Sequence, residues 1–110
     1  MATFTYPAKI VRVIDGDTLE VAIDLGFKIT HTIRVRLAGI DAPEAKTPEG
    51  DSATTYLFNT LPVGTTVVIT THKSDIYGRY IADVIKPVLE EQININKLMV
   101  TSGNAVEKIY

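Results

Sequence analysis

The sequence predicts an α+β domain: a closed, five-stranded β-barrel of the OB type carrying two short helices. Three observations carry that expectation. Three short apolar runs with a period of two come first, separated by turn signals; a segment of helical spacing follows; two more β-branched runs then precede a second helical segment. A meander, a helix and two further strands form the element order of a small OB-type barrel. With 110 residues, 45% of them apolar, the chain can bury one adequate core but not two, so a single domain over 1–110 is expected.

Each element has its own warrant. From Lys9, the run Ile10-Val11-Arg12-Val13-Ile14 is β-branched, and it stops at Asp15-Gly16, a strong hairpin signal. Leu19, Val21 and Ile23 alternate with Thr18, Glu20 and Ala22, as in a strand with one wet face. Asp24-Leu25-Gly26 makes the next turn. Phe27 to Leu37 reads as the third strand, with Ile29, Ile33, Val35 and Leu37 on one parity and Arg34 and Arg36 on the other. In a curled sheet the arginine face can line a groove.

Ala42-Pro43 interrupts regular structure, because proline holds Ala42 extended and donates no hydrogen bond of its own. Thr47-Pro48-Glu49-Gly50 reads as a turn. Asp51 or Ser52 would then cap a helix whose Ala53, Tyr56, Leu57 and Thr60 share a face, ended by Pro62-Val63-Gly64. Thr65 to Thr71 and Arg79 to Ile85 are the fourth and fifth strands. The connection between them, Lys73 to Gly78, is placed to carry function. Pro87 is expected to close the fifth strand and Glu90-Glu91-Gln92 to be solvated. Asn94 or Asn96 would cap a second helix burying Ile95, Leu98 and Met99, with Gly103 just past its end and Asn104 to Tyr110 as a short tail.

Composition narrows the chemistry. No cysteine means no disulfide, iron–sulfur cluster, thiolate zinc site or cysteine nucleophile, and His31 and His72 alone are too few for a transition-metal cage. The first residues lack a basic segment and an apolar core, and no run approaches the roughly 18 apolar residues of a membrane span, so the chain reads as soluble and as cytoplasmic unless a signal peptide has been removed from it. A formal net charge of −2 is wrong for a protein that grips nucleic acid by neutralising many phosphates. Any phosphate must instead be held by a few placed cations, helped by a metal where carboxylates cluster.

One stretch concentrates such groups. Arg36-Leu37-Ala38-Gly39-Ile40-Asp41-Ala42-Pro43-Glu44 places a guanidinium and two carboxylates around a strand's end. Asp15-Gly16-Asp17 taken alone reads as a turn. In a three-strand meander, however, the first hairpin and the end of the third strand can meet at one rim and bring Asp17 beside Asp41. Two carboxylates without sulfur or nitrogen donors suit a hard cation, calcium or magnesium. Glu44 taken alone could be a solvated surface residue; beside a metal and two arginines it becomes a candidate base that polarises an attacking water. Arg79 could be a surface residue after the turn glycine Gly78, or a partner to Arg36. Paired guanidinium groups bind phosphate oxygens bidentately and stabilise charge building at phosphorus.

Asp15-Gly16-Asp17-Thr18, the Arg36–Glu44 segment and Asp75-Ile76-Tyr77-Gly78-Arg79 together resemble, in order, three signatures of the staphylococcal (micrococcal) nuclease family. Ile95 to Val100 followed by Gly103 resembles the helix after that family's barrel. The resemblance implies that Asp17 and Asp41 bind Ca2+ through carboxylates and Ala42 through its carbonyl. It implies that Glu44 orients or deprotonates the attacking water, that Arg36 and Arg79 grip the scissile phosphate, and that Tyr77 holds a neighbouring one. It further implies a calcium-dependent nuclease that takes DNA or RNA as substrate and leaves 3′-phosphate ends.

The sequence also departs from the family pattern. Ala42 stands where the type member has threonine, and Ile76 where it has lysine, which removes a phosphate contact. The loop after Glu44 is shorter. The type member continues into a third helix under the barrel, whereas this sequence stops at Tyr110, which reads either as a compact family member or as a truncated chain; a monomer with apolar surface uncovered, and weak self-association through it, is the expectation. The competing reading is a catalytically weak or inactive module of the same fold that binds nucleic acid or a protein. Retention of Glu44 with both arginines favours the enzyme.

Overall fold

The first hairpin forms where the sequence breaks at Asp15-Gly16: β1 (Phe4–Asp15) turns into β2 (Thr18–Asp24), and β2 pairs antiparallel with β3 (Thr30–Leu37). The computed structural model describes residues 4–74 and 79–108. β4 is only Ile40–Asp41, and α1 (Pro48–Thr60) follows it. Then come β5 (Thr66–Ser74), β6 (Tyr80–Val88), β7 (Glu91–Asn94), α2 (Ile95–Thr101) and β8 (Val106–Glu107).

The main sheet runs in the order β3-β2-β1-β5-β6-β7, and β3 pairs a second time with β6, in parallel, at Val35↔Tyr80, Arg36↔Ile81 and Leu37↔Ala82. That last pairing closes β1, β2, β3, β5 and β6 into the expected mixed five-stranded barrel. Its interior holds the period-two set: Leu19, Val21, Val35, Leu37, Val67, Ile69 and Val84 are fully buried or nearly so. Helix α1 adds Ala53 and Leu57 to this core, and α2 adds Ile95 and Met99. Among the described residues no helix is long and apolar enough to cross a membrane.

Several boundaries differ from expectation, each for a physical reason. β1 starts at Phe4 instead of Lys9, because its first residues pair with β5 from Phe4↔Thr71 to Lys9↔Thr66 before β2 takes over. β3 starts at Thr30 instead of Phe27; Phe27 and Lys28 take left-handed backbone angles (φ 55° and 62°) at the hairpin tip. Helix α1 is capped by Thr47, one turn before Asp51 and Ser52. The Thr47 hydroxyl accepts the Gly50 N–H at 3.0 Å, and Pro48 fits the first helical turn, where its missing donor costs nothing. The apparent turn at 47–50 is thus the helix's start.

Pro87 does not end β6. Beyond Ile85, among the described residues, only β7 lies beside that strand, and a proline is tolerated where one side of a strand is unpaired. Consequently Glu91 and Gln92 sit in a hairpin strand, although they are exposed as expected. Of the two candidate caps for α2, Asn94 serves, its side chain accepting the Lys97 N–H at 3.0 Å. Gly103, at φ 82°, lies where the sequence placed it: its N–H bonds to the Val100 carbonyl at 3.0 Å and the Asn104 N–H to that of Met99 at 2.9 Å, a Schellman ending. As far as Lys108 the expected tail is tied down. β8 pairs with β4, and the Lys108 N–H reaches the Gly39 carbonyl at 2.8 Å.

Candidate active site

The site grows from the register of β2 on β3, which sets Thr18 directly across from Arg36. Asp17, just before Thr18, therefore lies at the end of the ladder, and its carbonyl accepts the Leu37 N–H at 2.9 Å. The turn that delivers it is packed very closely. A Cβ built on Gly16 would lie 2.8 Å from the Cβ atoms of both Ala42 and Ala53, so only glycine lets the hairpin dock against the segment after β4 and against α1. Docking there brings the Ala42 N–H to Asp17 Oδ2 at 3.0 Å.

Arg36 is buried, with 8% of its surface exposed, and it knits these pieces together. Its Nη1 donates to the carbonyls of Leu37 and Ile40 at 3.2 and 3.0 Å and lies 3.4 Å from Asp17 Oδ2; its Nη2 meets Asp41 Oδ1 at 3.1 Å. One guanidinium thus gathers both carboxylates that the sequence nominated. Asp41 keeps about half its side chain exposed, and the β4–β8 pairing, Asp41↔Val106, holds its backbone.

Arg79 enters from the barrel's closing strand. Its Nη1 donates to Thr18 Oγ1 at 3.3 Å, and that hydroxyl donates to Asp17 Oδ1 at 3.1 Å. Arg79, Thr18, Asp17, Arg36 and Asp41 form one continuous polar chain along the rim, in which two guanidinium groups are tied to a shared carboxylate. Burial pushes the Asp17 carboxyl above its ordinary range; a hydrogen bond with Asp15 adds to that rise, while the Ala42 N–H and Arg36 oppose it. With the folded-state value above the unfolded one, ionising Asp17 costs stability as the pH rises through that window, a cost that a bound cation would offset.

Glu44 stands apart from this chain. It is exposed, and its carbonyl, not its carboxylate, is what the fold uses: Thr47 donates to that carbonyl through its hydroxyl at 2.7 Å. Gly50 passes so close to the same carbonyl that a Cβ there would collide with it. The backbone of Glu44 is therefore fixed by the first turn of α1, while its side chain is left to reach solvent. Tyr77 lies outside the described residues.

A hard cation suits the donor chemistry here. Asp17, Asp41 and the Ala42 carbonyl offer oxygen only, and the two carboxylates already converge on one point of positive charge. Among the described residues no group of three or more carboxylate, histidine or cysteine side chains gathers. A cation would have to complete its shell with the backbone carbonyl and water.

Two contributors were not singled out in the sequence. Thr18, the relay between Arg79 and Asp17, was legible only as the residue after an Asp-Gly-Asp turn. Asn96, one of the two candidate caps, is buried inside α2: its Oδ1 accepts the Val84 N–H at 3.0 Å and its Nδ2 donates to the carbonyls of Ala38 and Ala82 at 2.8 and 3.1 Å. It pins the bend at Ala38-Gly39 that aims Ile40 and Asp41 at Arg36.

The fold and site define an OB-type barrel with an arginine–carboxylate centre on its rim. The chain belongs to the family described as Staphylococcal nuclease homologue, whose model matches residues 34–110; Asp17 and Thr18 precede that match. It is 38% identical over 97 residues to a protein of Escherichia coli O157:H7 named "Uncharacterized endonuclease", a match covering 88% of this chain and 58% of that protein. It is 36% identical over 105 residues to a Shigella flexneri protein named "Micrococcal nuclease", covering 91% and 57%, and 32% identical over 102 residues to Escherichia coli "Protein ParB", covering 88% and 54%. The chain spans a little over half the length of these relatives.

Proposed function

We propose that the chain is a phosphodiesterase that hydrolyses DNA or RNA with Ca2+ as cofactor, leaving 3′-phosphate ends. The observation that supports this most is the polar chain from Arg79 through Thr18 and Asp17 to Arg36, which holds two guanidinium groups on one face of the rim. Relatives named as nucleases agree with it.

In this reading Arg36 and Arg79 bind the non-bridging oxygens of the scissile phosphate. As water attacks phosphorus, charge builds on those oxygens, and fixed guanidinium donors stabilise it without reorganising. Glu44, on its solvent-facing side chain, takes the proton of the attacking water. The bond from phosphorus to the 5′-oxygen breaks, the leaving oxygen takes a proton from solvent, and the phosphate stays on the 3′-side. Asp17, Asp41 and the Ala42 carbonyl would hold the calcium, which supplies positive charge against the phosphate when bound.

A second reading, a binding module without catalysis, draws on the exposed Glu44 side chain, whose carboxylate forms no hydrogen bond or ion pair with the arginines or aspartates among the described residues. One assay separates the two. A single-stranded DNA oligonucleotide is incubated with calcium, with magnesium and with chelator, with Glu44→Gln in parallel. The enzyme reading expects calcium-dependent cutting, product ends that a phosphatase can strip, and turnover reduced far more than affinity in the variant. Binding with no cutting by folded wild type would favour the module.

A further inference from the structure

The outer face of the first three strands carries positive charge that the site itself does not use. β2 sends Leu19, Val21 and Ile23 into the core and leaves Thr18, Glu20, Ala22 and Asp24 outside, and its pairings sort that outside into rows. The first row is the site's own, with Thr18 between Asp15 and Arg36. In the second, Glu20 lies between Arg12 and Arg34; in the third, Ala22 lies between Lys9 and Thr32. Arg12 holds its place through a bulge: the register shifts between Ile10 and Arg12, so Val11 is the extra residue and Arg12 faces Glu20 in its stead. Bulges beside active sites commonly re-aim a side chain in this way.

The second row presents its charge to solvent. Arg12 Nη2 and Arg34 Nε approach the same oxygen, Glu20 Oε2, at 3.5 and 3.9 Å, and both arginine side chains are 56% exposed. One carboxylate cannot neutralise two guanidinium groups, and long, exposed ion pairs of this kind are weak enough to yield to another anion. Past the third row, Lys9, Ala22, Asp24, Lys28, Thr30 and Thr66 line most of a hollow of about 320 Å³. Its carboxylate, Asp24, is engaged by the turn: Oδ1 accepts the Gly26 N–H at 2.8 Å. Beyond the site row, this face therefore sets Lys9, Arg12, Lys28 and Arg34 against Glu20 and Asp24, an excess of positive charge on a chain whose formal net charge is −2.

We infer that the outer face of β1, β2 and β3 is a track for the nucleic-acid backbone, on which Arg12 and Arg34 take the phosphate next to the scissile one and Lys9 and Lys28 take phosphates beyond it. This rests on the proposed nuclease reading and extends its substrate site along β2. Successive rows are two residues apart, about 7 Å, close to the separation of neighbouring phosphates in an extended strand. Phosphate contacts carry no sequence information, so the track fixes where the strand lies and not which bases it bears. It also shows how an acidic chain can hold a polyanion: the cations are gathered on the face that meets it.

Binding in chelator, where no strand is cut, tests the track. Fluorescence anisotropy of a labelled oligothymidylate is followed across a salt series for wild type, Lys9→Gln, Arg12→Gln, Arg34→Gln, Glu20→Gln and, as a control away from these rows, Lys97→Gln on α2. Circular dichroism checks that each variant is folded. Each of the three cation variants on the face should flatten the slope of log affinity against log salt by about 0.7, the share of one phosphate contact on a single strand, whereas Lys97→Gln should keep the wild-type slope. Glu20→Gln should bind more tightly than wild type, because it removes the carboxylate that competes with phosphate; an ion-pair row with a purely structural role would give no such gain. Wild-type slopes in Arg12→Gln and Arg34→Gln, or no gain in Glu20→Gln, would overturn the track. If the same protein nonetheless cuts with calcium, the nuclease reading survives without it. Flattened slopes in a protein that never cuts would remove the catalytic reading and leave the track in place.

Discussion

Arg36 shows how much one side chain can be asked to do. It is buried, it bonds the carbonyls of Leu37 at its own strand end and of Ile40 in β4, and it sits between Asp17 and Asp41, so its planar fork builds the site and, in the proposed reading, also grips the phosphate. Lysine keeps the charge but cannot meet acceptors in several directions at once. Arg36→Lys should therefore lower kcat on the order of 100-fold while leaving a folded protein, the loss expected for one preorganised donor; equal kcat in steady-state assays would argue against bidentate phosphate recognition. At this scale the sequence was informative about charge and poor about geometry. Residue type and spacing nominated Asp17, Arg36, Asp41 and Arg79, and the structure brings all four into one network. Glu44 is placed beside them along the chain but outside that network, because its local structure is decided by the Thr47 cap and the close pass of Gly50, neither of which its own identity encodes. Thr18 was passed over because a threonine in a strand is ordinary until the register that sets it opposite Arg36 is known.

Elements matter here mainly as clamps on the rim. The first hairpin is docked through Gly16, wedged between Ala42 and Ala53. Gly16→Ala would force the turn away from α1 and carry Asp17 with it. The expected cost is about 1–3 kcal/mol of stability from overpacking, read as a lower urea midpoint at unchanged slope, with activity falling further than stability alone explains. Activity equal to wild type at full folding would show that the turn's position is not needed. Asn96 clamps the other side. Asn96→Ala strips partners from the buried Val84 N–H and from the Ala38 carbonyl, so about 2–4 kcal/mol should be lost in the same urea titration; a loss below about 0.5 kcal/mol would mean water replaces the amide. Both clamps were hard to see in sequence for the same reason. A glycine in a turn and an asparagine near a helix start have strong local explanations, and only tertiary contact reveals the second role. Strand cores were easier: period-two burial of Leu19, Val21, Val35 and Leu37 follows directly from alternation, whereas strand ends moved because pairing partners, not propensity, set them.

At the scale of the molecule, barrel closure is what makes a site. The meander alone would leave Arg36 and Arg79 on separate elements; the parallel pairing of β3 with β6 sets the residue after Arg79 beside Val35 and so brings both arginines to one rim. The element order pointed to that closure, but the pairing of β8 with β4 behind Asp41 did not declare itself, two residues being too short to leave a pattern. The exposed large apolar residues are scattered, from strand starts at Phe4 and Tyr80 to the hairpin tips, where Phe27 is 96% and Leu89 100% exposed; the weak self-association expected from the sequence is tested by sedimentation at rising concentration, where a concentration-independent monomer would dismiss it. The proposed calcium site carries a prediction at this scale as well. Asp17 pays for ionisation by burial, and a cation that binds only the folded site should return stability in proportion to its occupancy. At a free calcium concentration near 100 times its dissociation constant the gain is about 2.7 kcal/mol, which for a domain of this size moves the unfolding midpoint up by roughly 10 °C. Thermal scans in calcium and in chelator should show that separation for wild type and a much smaller one for Asp17→Asn and Asp41→Asn. Coincident scans for wild type would mean that the two aspartates serve Arg36 alone and that the rim works without a resident cation.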